Sequence, residues 1–459
     1  EMLYNSALVF YSFLTCFFAA RYPNKIREII LFSMILTAGA MFNGYPLWDE
    51  VTLLGILLVG LLVLVKNGGL LKKPFISTSH EFVFFLFLSY LIFESVRGMF
   101  VLGDPRMVRF ILYFSMVAII PFVIRHLARK ITSSDQILGP IIWAGLIYFT
   151  LYMIHGLYFD FKTGSLLGRY LHQGELWSGS AYAFFPILCT LPAAVISMRA
   201  KNPTYKILSP ALIFLTFICS IYYDSRLGSG SVLLFASLIF IGKGLLKRLI
   251  ILSMVFGILG LTIANKYEKE VDMAFYMVEN LSDSLDAIAG KRNTDLDRFI
   301  FFKAGFHRLT SNPTTFFIGD GYYVNRYSAK KSLKALGMAH LNNGILDGPM
   351  QVTGTTAFLI DMGLIGVILL LLNVGHAMFQ GVKLAQSLPD KFIILIMGGC
   401  LGIWAIITNI QDLVIYLLLI MPNGIMPLIG KVSELMAKES INNRNNTNSN
   451  TSQKEIFPK

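Results

Sequence analysis

The sequence predicts an all-α fold: a polytopic membrane bundle of about 12–14 transmembrane helices with one large, partly helical periplasmic loop. Three observations predict it. Of 459 residues, 55% are hydrophobic and only 14% are charged, too few charges to cover a soluble protein of this size, where about 25% is usual. The apolar residues come in blocks of roughly 20, the length that crosses a hydrocarbon core of about 30 Å. The basic residues fall in small groups between those blocks, as they do where Lys and Arg set membrane orientation. Continuous rather than alternating blocks argue against an outer-membrane barrel. The same composition excludes disorder for the body of the chain.

Thirteen blocks are readable, at about 3–20, 29–43, 51–65, 81–96, 107–124, 137–154, 179–198, 207–222, 229–242, 248–264, 354–374, 392–409 and 412–430. The first lacks a basic stretch before it and reads as a retained span rather than a cleaved signal. The loops alternate in charge. The six short odd-numbered loops hold 17 basic residues, among them Arg125, Arg199 and Lys391, while the short even-numbered ones hold six, including Arg97, Arg169 and Arg226. The odd loops are therefore expected in the cytoplasm, with the N-terminus outside. The net charge of +12 is spent on this orientation, which argues against a nucleic-acid partner. Cys16, Cys189, Cys219 and Cys400 all lie in apolar blocks and read as small packing residues.

The chain accordingly divides into transmembrane helices one to ten over 1–264, a large periplasmic loop over 265–353, C-terminal transmembrane helices over 354–430, and a tail over 431–459. The tail contains "NNRNNTNSNTSQK" and is expected to be a disordered cytoplasmic end. The large loop is expected to be folded. An amphipathic helix is predicted over 271–288, a packing helix or one that lies on the membrane surface. A second is predicted over 297–309, ended by Asn312-Pro313 and followed by an aromatic turn, "FFIGDGYY", with Gly319 and Gly321.

Residues able to carry chemistry gather on the outward side. Arg169, Arg226, Arg292, Arg298, Arg308 and Arg326 all belong to it. The plain reading of Arg226, in "YDSRLGSGS", is an interface arginine paired with Asp224. The sharper one is an anion site, because guanidinium forks bind phosphate oxygens bidentately and stay charged at any working pH. Arg169 stands in "GRYLHQGELWSGS" beside His172, Glu175 and Trp177. Trp177 there is either a membrane-boundary anchor or a face on which a sugar stacks. His172, Glu175, Asp224, His307, Asp320 and His340 are the outward groups able to accept a proton. No Cys, His, Asp or Glu set has metal-ligand spacing, no phosphate-binding glycine loop is present, and no cofactor is expected.

Four segments, in order, resemble the bacterial O-antigen polymerase and ligase family. "SRLGSGSVLLFAS" (225–237) is similar to the Ser-Arg-Gly-type start of a late span. "DRFIFFKAGFHRLTSNPTTFFIGDGYY" (297–323) resembles the loop segment in which an arginine is followed by an aromatic, then a proline, then a Gly-x-Gly turn: here Arg298, Phe302, Pro313, Gly319 and Gly321. "FLIDMGLIGVILLLL" (358–372) is similar to the Gly-x-x-Gly that enters the next span, at Gly363 and Gly366. "GRYLHQGELWSGSAYAFF" (168–185) resembles the earlier outer loop. Ligases carry a histidine where this chain has Val352, and the nearest histidine is His340. That difference favours a polymerase.

The resemblance implies a metal-independent glycosyltransferase of the inner (cytoplasmic) membrane that joins oligosaccharide repeats carried on undecaprenyl pyrophosphate, with inversion. Arg226 and Arg298 would bind the pyrophosphate, with Arg169, Arg308 and Arg292 beside them. His340, His172 or Glu175 would be the base. A chain-length regulator is the protein partner such an enzyme would have. Two other readings stay open: a ligase passing the finished glycan to a lipid A core or another acceptor, and, from a different class, a flippase or transporter of lipid-linked oligosaccharide.

Overall fold

A computed structural model describes residues 79–104, 131–163, 180–200, 202–222, 226–239, 305–324, 354–407 and 419–455, with scattered positions before 126 and within 331–336. Among the described residues there is no strand. The helices are α1 (Ser79–Leu102), α2 (Asp135–Thr163), α3 (Ser180–Ser197), α4 (Pro203–Tyr222), α5 (Arg226–Ile239), α6 (Pro313–Ile318), α7 (Gly354–Leu384), α8 (Leu388–Ile407) and α9 (Met426–Glu455). A single π-helical turn, Met421–Ile425, leads into α9. The apolar blocks predicted at 81–96, 137–154, 179–198, 207–222, 229–242, 354–374 and 392–409 each hold one of these helices.

Among the described residues, four helical stretches are long and apolar enough to cross a membrane: Ser79–Leu102, Asp135–Ile154, Pro203–Ser220 and Ala357–Leu384. Pro186–Ser197 and Gly228–Leu238 are shorter apolar helices. The predicted blocks at 3–20, 29–43, 51–65, 107–124 and 248–264 fall wholly or largely outside the described residues, as does the predicted helix at 271–288. Helices α2, α3 and α4 carry internal prolines (Pro140, Pro186, Pro192 and Pro210). Close neighbours make such breaks tolerable in a membrane helix, and the Ser197 and Ser209 hydroxyls, 2.5 Å apart and buried, tie α3 to α4.

Helices α2 to α5 pack on one another, and α7 packs against α1, α6, α8 and α9. Helix α8 joins the two groups by lying on α5 and α3. Phe84, Phe87, Phe149, Tyr152, Phe235 and Tyr322 are fully buried between them. Outward, Phe82, Leu86, Phe93 and Phe100 on α1 are exposed, as are Ile365, Ile368, Leu372 and Phe379 on α7. At 3.6 residues per turn each set forms one stripe along its helix. An apolar stripe on the outside is what a lipid-facing helix shows.

Helices α1 and α7 run antiparallel, which gives their pair two ends. At one, here the tail end, Arg199 of the α3–α4 connection forms an ion pair with Asp390 and donates to Ser387 at 3.2 Å. Ser433 of α9 donates to Asp390 at 2.5 Å. Ser134, just before α2, donates its backbone N–H to Glu439 at 3.0 Å. At the other, the loop end, the end of α1 meets residues 305–324 and the start of α7. The connections predicted to share the cytoplasmic side therefore meet at one end, and the large loop meets the even-numbered connection at the other.

The tail differs from the expectation of disorder over 431–459. Helix α9 continues to Glu455. Leu428, Ile429, Val432 and Leu435 form a buried face on it, and Gly430 lies against the backbone of Gly381 on α7. The Asn-rich composition hid a helix whose first four turns are held by that face and by Glu439, to which Ser134 donates.

Candidate functional site

At the loop end, α7 is not one continuous helix. Gly363 has φ 62° and ψ −173° and breaks it into two pieces. The break releases backbone groups that a helix would otherwise pair internally. Asp320 donates its N–H to the Ile360 carbonyl at 2.6 Å, and Gly321 to the Asp361 carbonyl at 3.1 Å. The Gly-Asp-Gly turn at 319–321 is thereby seated on the broken part of α7.

Only glycine permits this seating. Gly319 (φ 90°) and Gly363 both lie in the left-handed region, where a side chain is costly. A Cβ on Gly319 would meet the Asp361 carbonyl, and one on Gly363 would meet the Gly319 nitrogen. The turn is held equally closely to α1. A Cβ on Gly321 would lie 2.7 Å from the Gly98 nitrogen, and Tyr322 donates its N–H to the Glu94 carbonyl at 2.9 Å.

Side chains complete the junction. Arg308 places Nε and Nη2 on the two Asp320 oxygens at 2.9 and 3.0 Å, a bidentate fork, and Thr315 donates to Asp320 at 2.7 Å. On α1, Arg97 pairs with the fully buried Glu94 at 2.7 Å and donates to the Ile318 carbonyl at 3.3 Å. The Tyr90 hydroxyl lies 3.0 Å from that carbonyl and 2.9 Å from that of Met362. Tyr323, a non-glycine residue at φ 72°, gives its N–H to the Asp361 carboxylate at 2.7 Å. That contact offsets part of a backbone strain of about 1–2 kcal/mol.

Two ion pairs lie here. Arg308 faces Asp320, Arg97 faces Glu94, and Asp361 is a further buried carboxylate. Arg308 is 30% exposed along its side chain, and the fork leaves Nη1 unused. Chemically, the junction fixes a loop turn rigidly between two membrane-length helices and leaves part of the Arg308 and Arg97 side chains reachable there. Among the described residues it does not gather several unmatched cations.

Of the predicted site residues, Arg308 is described in full. Arg226 is the first residue of α5, with its side chain outside the described residues. Arg169, His172, Glu175, Trp177, Arg292, Arg298 and His340 lie outside the described residues. The structure brings Arg308, Gly319, Gly321 and Gly363 together. Tyr90, Glu94 and Arg97 were missed by sequence reasoning. Glu94 inside an apolar block, with Arg97 one turn on at the block's edge, was the available signal, since a charge there is costly without a partner. Asn312-Pro313 ends one helical stretch as expected, but Asn312 also caps α6, accepting the Thr314 N–H at 3.0 Å.

At the tail end of the same helix pair lies a second polar group. The His80 and His376 rings stack with centroids 5.3 Å apart. Ser79 lies 3.1 Å from His376 Nε2, Arg125 lies 3.9 Å from Glu81, and Asn423 of the π turn lies beside His80. His80, Asn373 and Asn423 are buried. The ring nitrogens of His80, both amide atoms of Asn373 and the amide oxygen of Asn423 make no hydrogen bond of good geometry among the described residues. No group of three or more His, Cys, Asp or Glu suited to a metal ion occurs among the described residues. No protein-family model, curated protein or solved structure gives a significant match to this chain.

Proposed function

We propose that this chain is a membrane glycosyltransferase of the O-antigen polymerase type, joining oligosaccharide repeats carried on undecaprenyl pyrophosphate at the outer face of the inner membrane. One observation carries the reading. The two resembling segments that lie furthest apart in character, the loop ending in Gly319-Asp320-Gly321 and the span entered at Gly363, are seated on each other backbone to backbone. A loop fastened to the mouth of a span in this way can present an arginine to a lipid headgroup.

In the reaction an acceptor sugar hydroxyl attacks the anomeric carbon of the donor. The carbon–oxygen bond to the lipid pyrophosphate breaks, and the hydroxyl proton passes to a base, for which His340, His172 and Glu175 are the candidates. The departing pyrophosphate is already anionic and needs charge stabilisation rather than a proton. Fixed guanidinium groups supply it: Arg226 and Arg298 first, with Arg169 and Arg292. Arg308, forked onto Asp320, contributes mainly by holding the turn.

The test is purified protein given a lipid-pyrophosphate repeat unit alone. A ladder of longer chains supports polymerase. Transfer only after a second lipid acceptor is added means ligase. Arg226→Lys and Arg298→Lys should each lower turnover at least about tenfold, since each loses a bidentate phosphate contact, while the protein still inserts. Wild-type rates in both would refute the anion role.

A second reading has its own observation. Buried ionisable and amide groups inside membrane helices mark transport pathways in many proteins, and buried His80 and Asn373, with half-buried His376 stacked on His80 and buried Asn423 of the π turn beside it, form a group of that kind. A flippase or transporter of lipid-linked oligosaccharide would move the substrate across vesicles and yield no covalent product.

A further inference from the structure

The segment 305–318 carries an apolar surface that neither the junction nor the proposed reaction uses. Phe306 is 58% exposed and Phe317 53%, with Phe316 and Ile318 exposed beside them. The Phe316 and Phe317 rings meet edge to face at 5.1 Å, so they form one aromatic cluster. The segment is two short helical pieces separated by Asn312, and its exposed polar groups are interspersed with the apolar ones: Thr310 stands one turn after Phe306 and Thr314 one turn before Ile318. Thr310, Ser311 and Thr314 are exposed, while Thr315 turns inward to Asp320. Three consecutive bare apolar residues, Phe316, Phe317 and Ile318, are unusual on a surface meant for water.

The segment's position says what covers them. Helix α6 packs on α7, and its last carbonyl, that of Ile318, is held by Tyr90 and Arg97 of α1. At 100° per residue, Phe82, Leu86, Phe93 and Phe100 fall within about 40° of one another on α1, and Arg97 and Tyr90 stand about 60–80° around from Phe82. The carbonyl of Ile318 is therefore anchored immediately beside the lipid-facing stripe, near the end where Phe100 is 75% exposed. On its other side α6 meets α7, whose own bare stripe begins at Ile365. The apolar surface of 305–318 therefore lies beside two exposed apolar stripes of membrane-length helices.

The geometry points to a membrane-dipping segment: residues 305–318 lie in the bilayer interface at the loop end, with Phe306, Phe316, Phe317 and Ile318 seated in the upper acyl region. Aromatic side chains favour that depth, and an interfacial helix buries its apolar face about 5–10 Å below the headgroup boundary. The partner is the lipid itself. The inference stands whether the chain polymerises, ligates or transports.

The test uses the full chain in lipid nanodiscs with tryptophan placed at Phe317 and, in separate proteins, at Phe316, Phe93 and Ser311. Each emission is measured against that of the unsubstituted protein. Phe317→Trp and Phe316→Trp should lose roughly half their emission to lipids brominated high on the acyl chain, as an interfacial depth of about 5–10 Å requires, and should resist aqueous iodide. Phe93→Trp should respond most to bromine placed deeper, and Ser311→Trp to iodide. Quenching of positions 316 and 317 by iodide and not by brominated lipid would overturn the inference. So would indifference to both quenchers, which would mean that protein, from this chain or a second copy, covers the patch.

Discussion

The two ends of the α1–α7 pair are built from the same materials and finished differently. At the loop end, Glu94, Arg97, Asp320 and Arg308 are matched two by two, Tyr90 reaches two carbonyls, and Asp361 takes the Tyr323 N–H. At the tail end, His80 and the Asn373 amide are equally buried and, like both Glu94 oxygens and Arg97 Nε at the loop end, find no hydrogen bond of good geometry among the described residues, but unlike Glu94 and Arg97 they are not held in an ion pair there. A buried polar group left unmatched costs about 1–3 kcal/mol. The loop end is thus a mechanical fixture whose polar groups hold the fold. The tail-end groups weaken the fold by themselves, so their presence asks for a role outside packing.

The sharpest way to break this contrast is at the fixture. Gly363→Ala puts a Cβ against the Gly319 nitrogen and an L side chain at φ 62°. Overpacking and left-handed strain together should destabilise the junction by about 3 kcal/mol. The expected outcome is a clearly lowered Tm of the purified protein, with faster hydrogen exchange at 319–324. Gly375, on the same helix with nothing near its absent Cβ, is the comparison. Gly375→Ala should be neutral or stabilising by about 0.5–1 kcal/mol. Equal effects from the two substitutions would mean that the turn is not seated on α7.

Much of this architecture was legible in the sequence because a bilayer imposes a simple rule. Apolar length alone located α1, α2 and α7, although α1 extends past the predicted 81–96 to Ser79 and Leu102. The Gly-x-Gly turn and Arg308 were visible as motifs. Their partners were not, since Tyr90 and Ile318 are 228 positions apart and nothing local to either announces the other. Glu94 was hidden for a related reason: one acid in an apolar block looks tolerated until its arginine and the arriving turn are seen. The missed continuation of α9 has a different cause. Asparagine is a weak helix former, and composition outweighed the buried face at Leu428, Ile429, Val432 and Leu435.

The tail end makes the opposite prediction to the loop end. Asn373→Leu removes an amide that finds no partner of good geometry and keeps the side-chain volume. Replacement of an unmatched buried polar group by an apolar one of similar shape should be neutral or raise stability by about 1 kcal/mol. A gain in Tm with turnover unchanged would leave the transport reading without its main support. A gain in Tm with loss of function would place a working role on this cluster. A loss of stability would mean that the amide is already paired, and the contrast between the two ends would fail.

The smallest effect tests whether charge at the tail end can be satisfied where solvent reaches it. On α9, Glu434 accepts from Lys438 at 2.5 Å and from Lys431 at 2.9 Å. The hydrogen bond from Lys438 and then that from Lys431 hold its carboxyl below the ordinary glutamate value. Because the folded value is the lower one, the unfolded chain binds the proton first as pH falls. The stabilisation is therefore fully present above the unfolded value of about 4.3 and is lost as pH drops through the folded value. With both lysines near the surface the contribution should stay below about 1 kcal/mol. Unfolding of the wild-type protein and of Glu434→Gln, followed from neutral pH down through the carboxylate range, should converge as the acid limb is reached. A variant that stays less stable by the same amount at every pH would assign the loss to packing on α9 rather than to the charge.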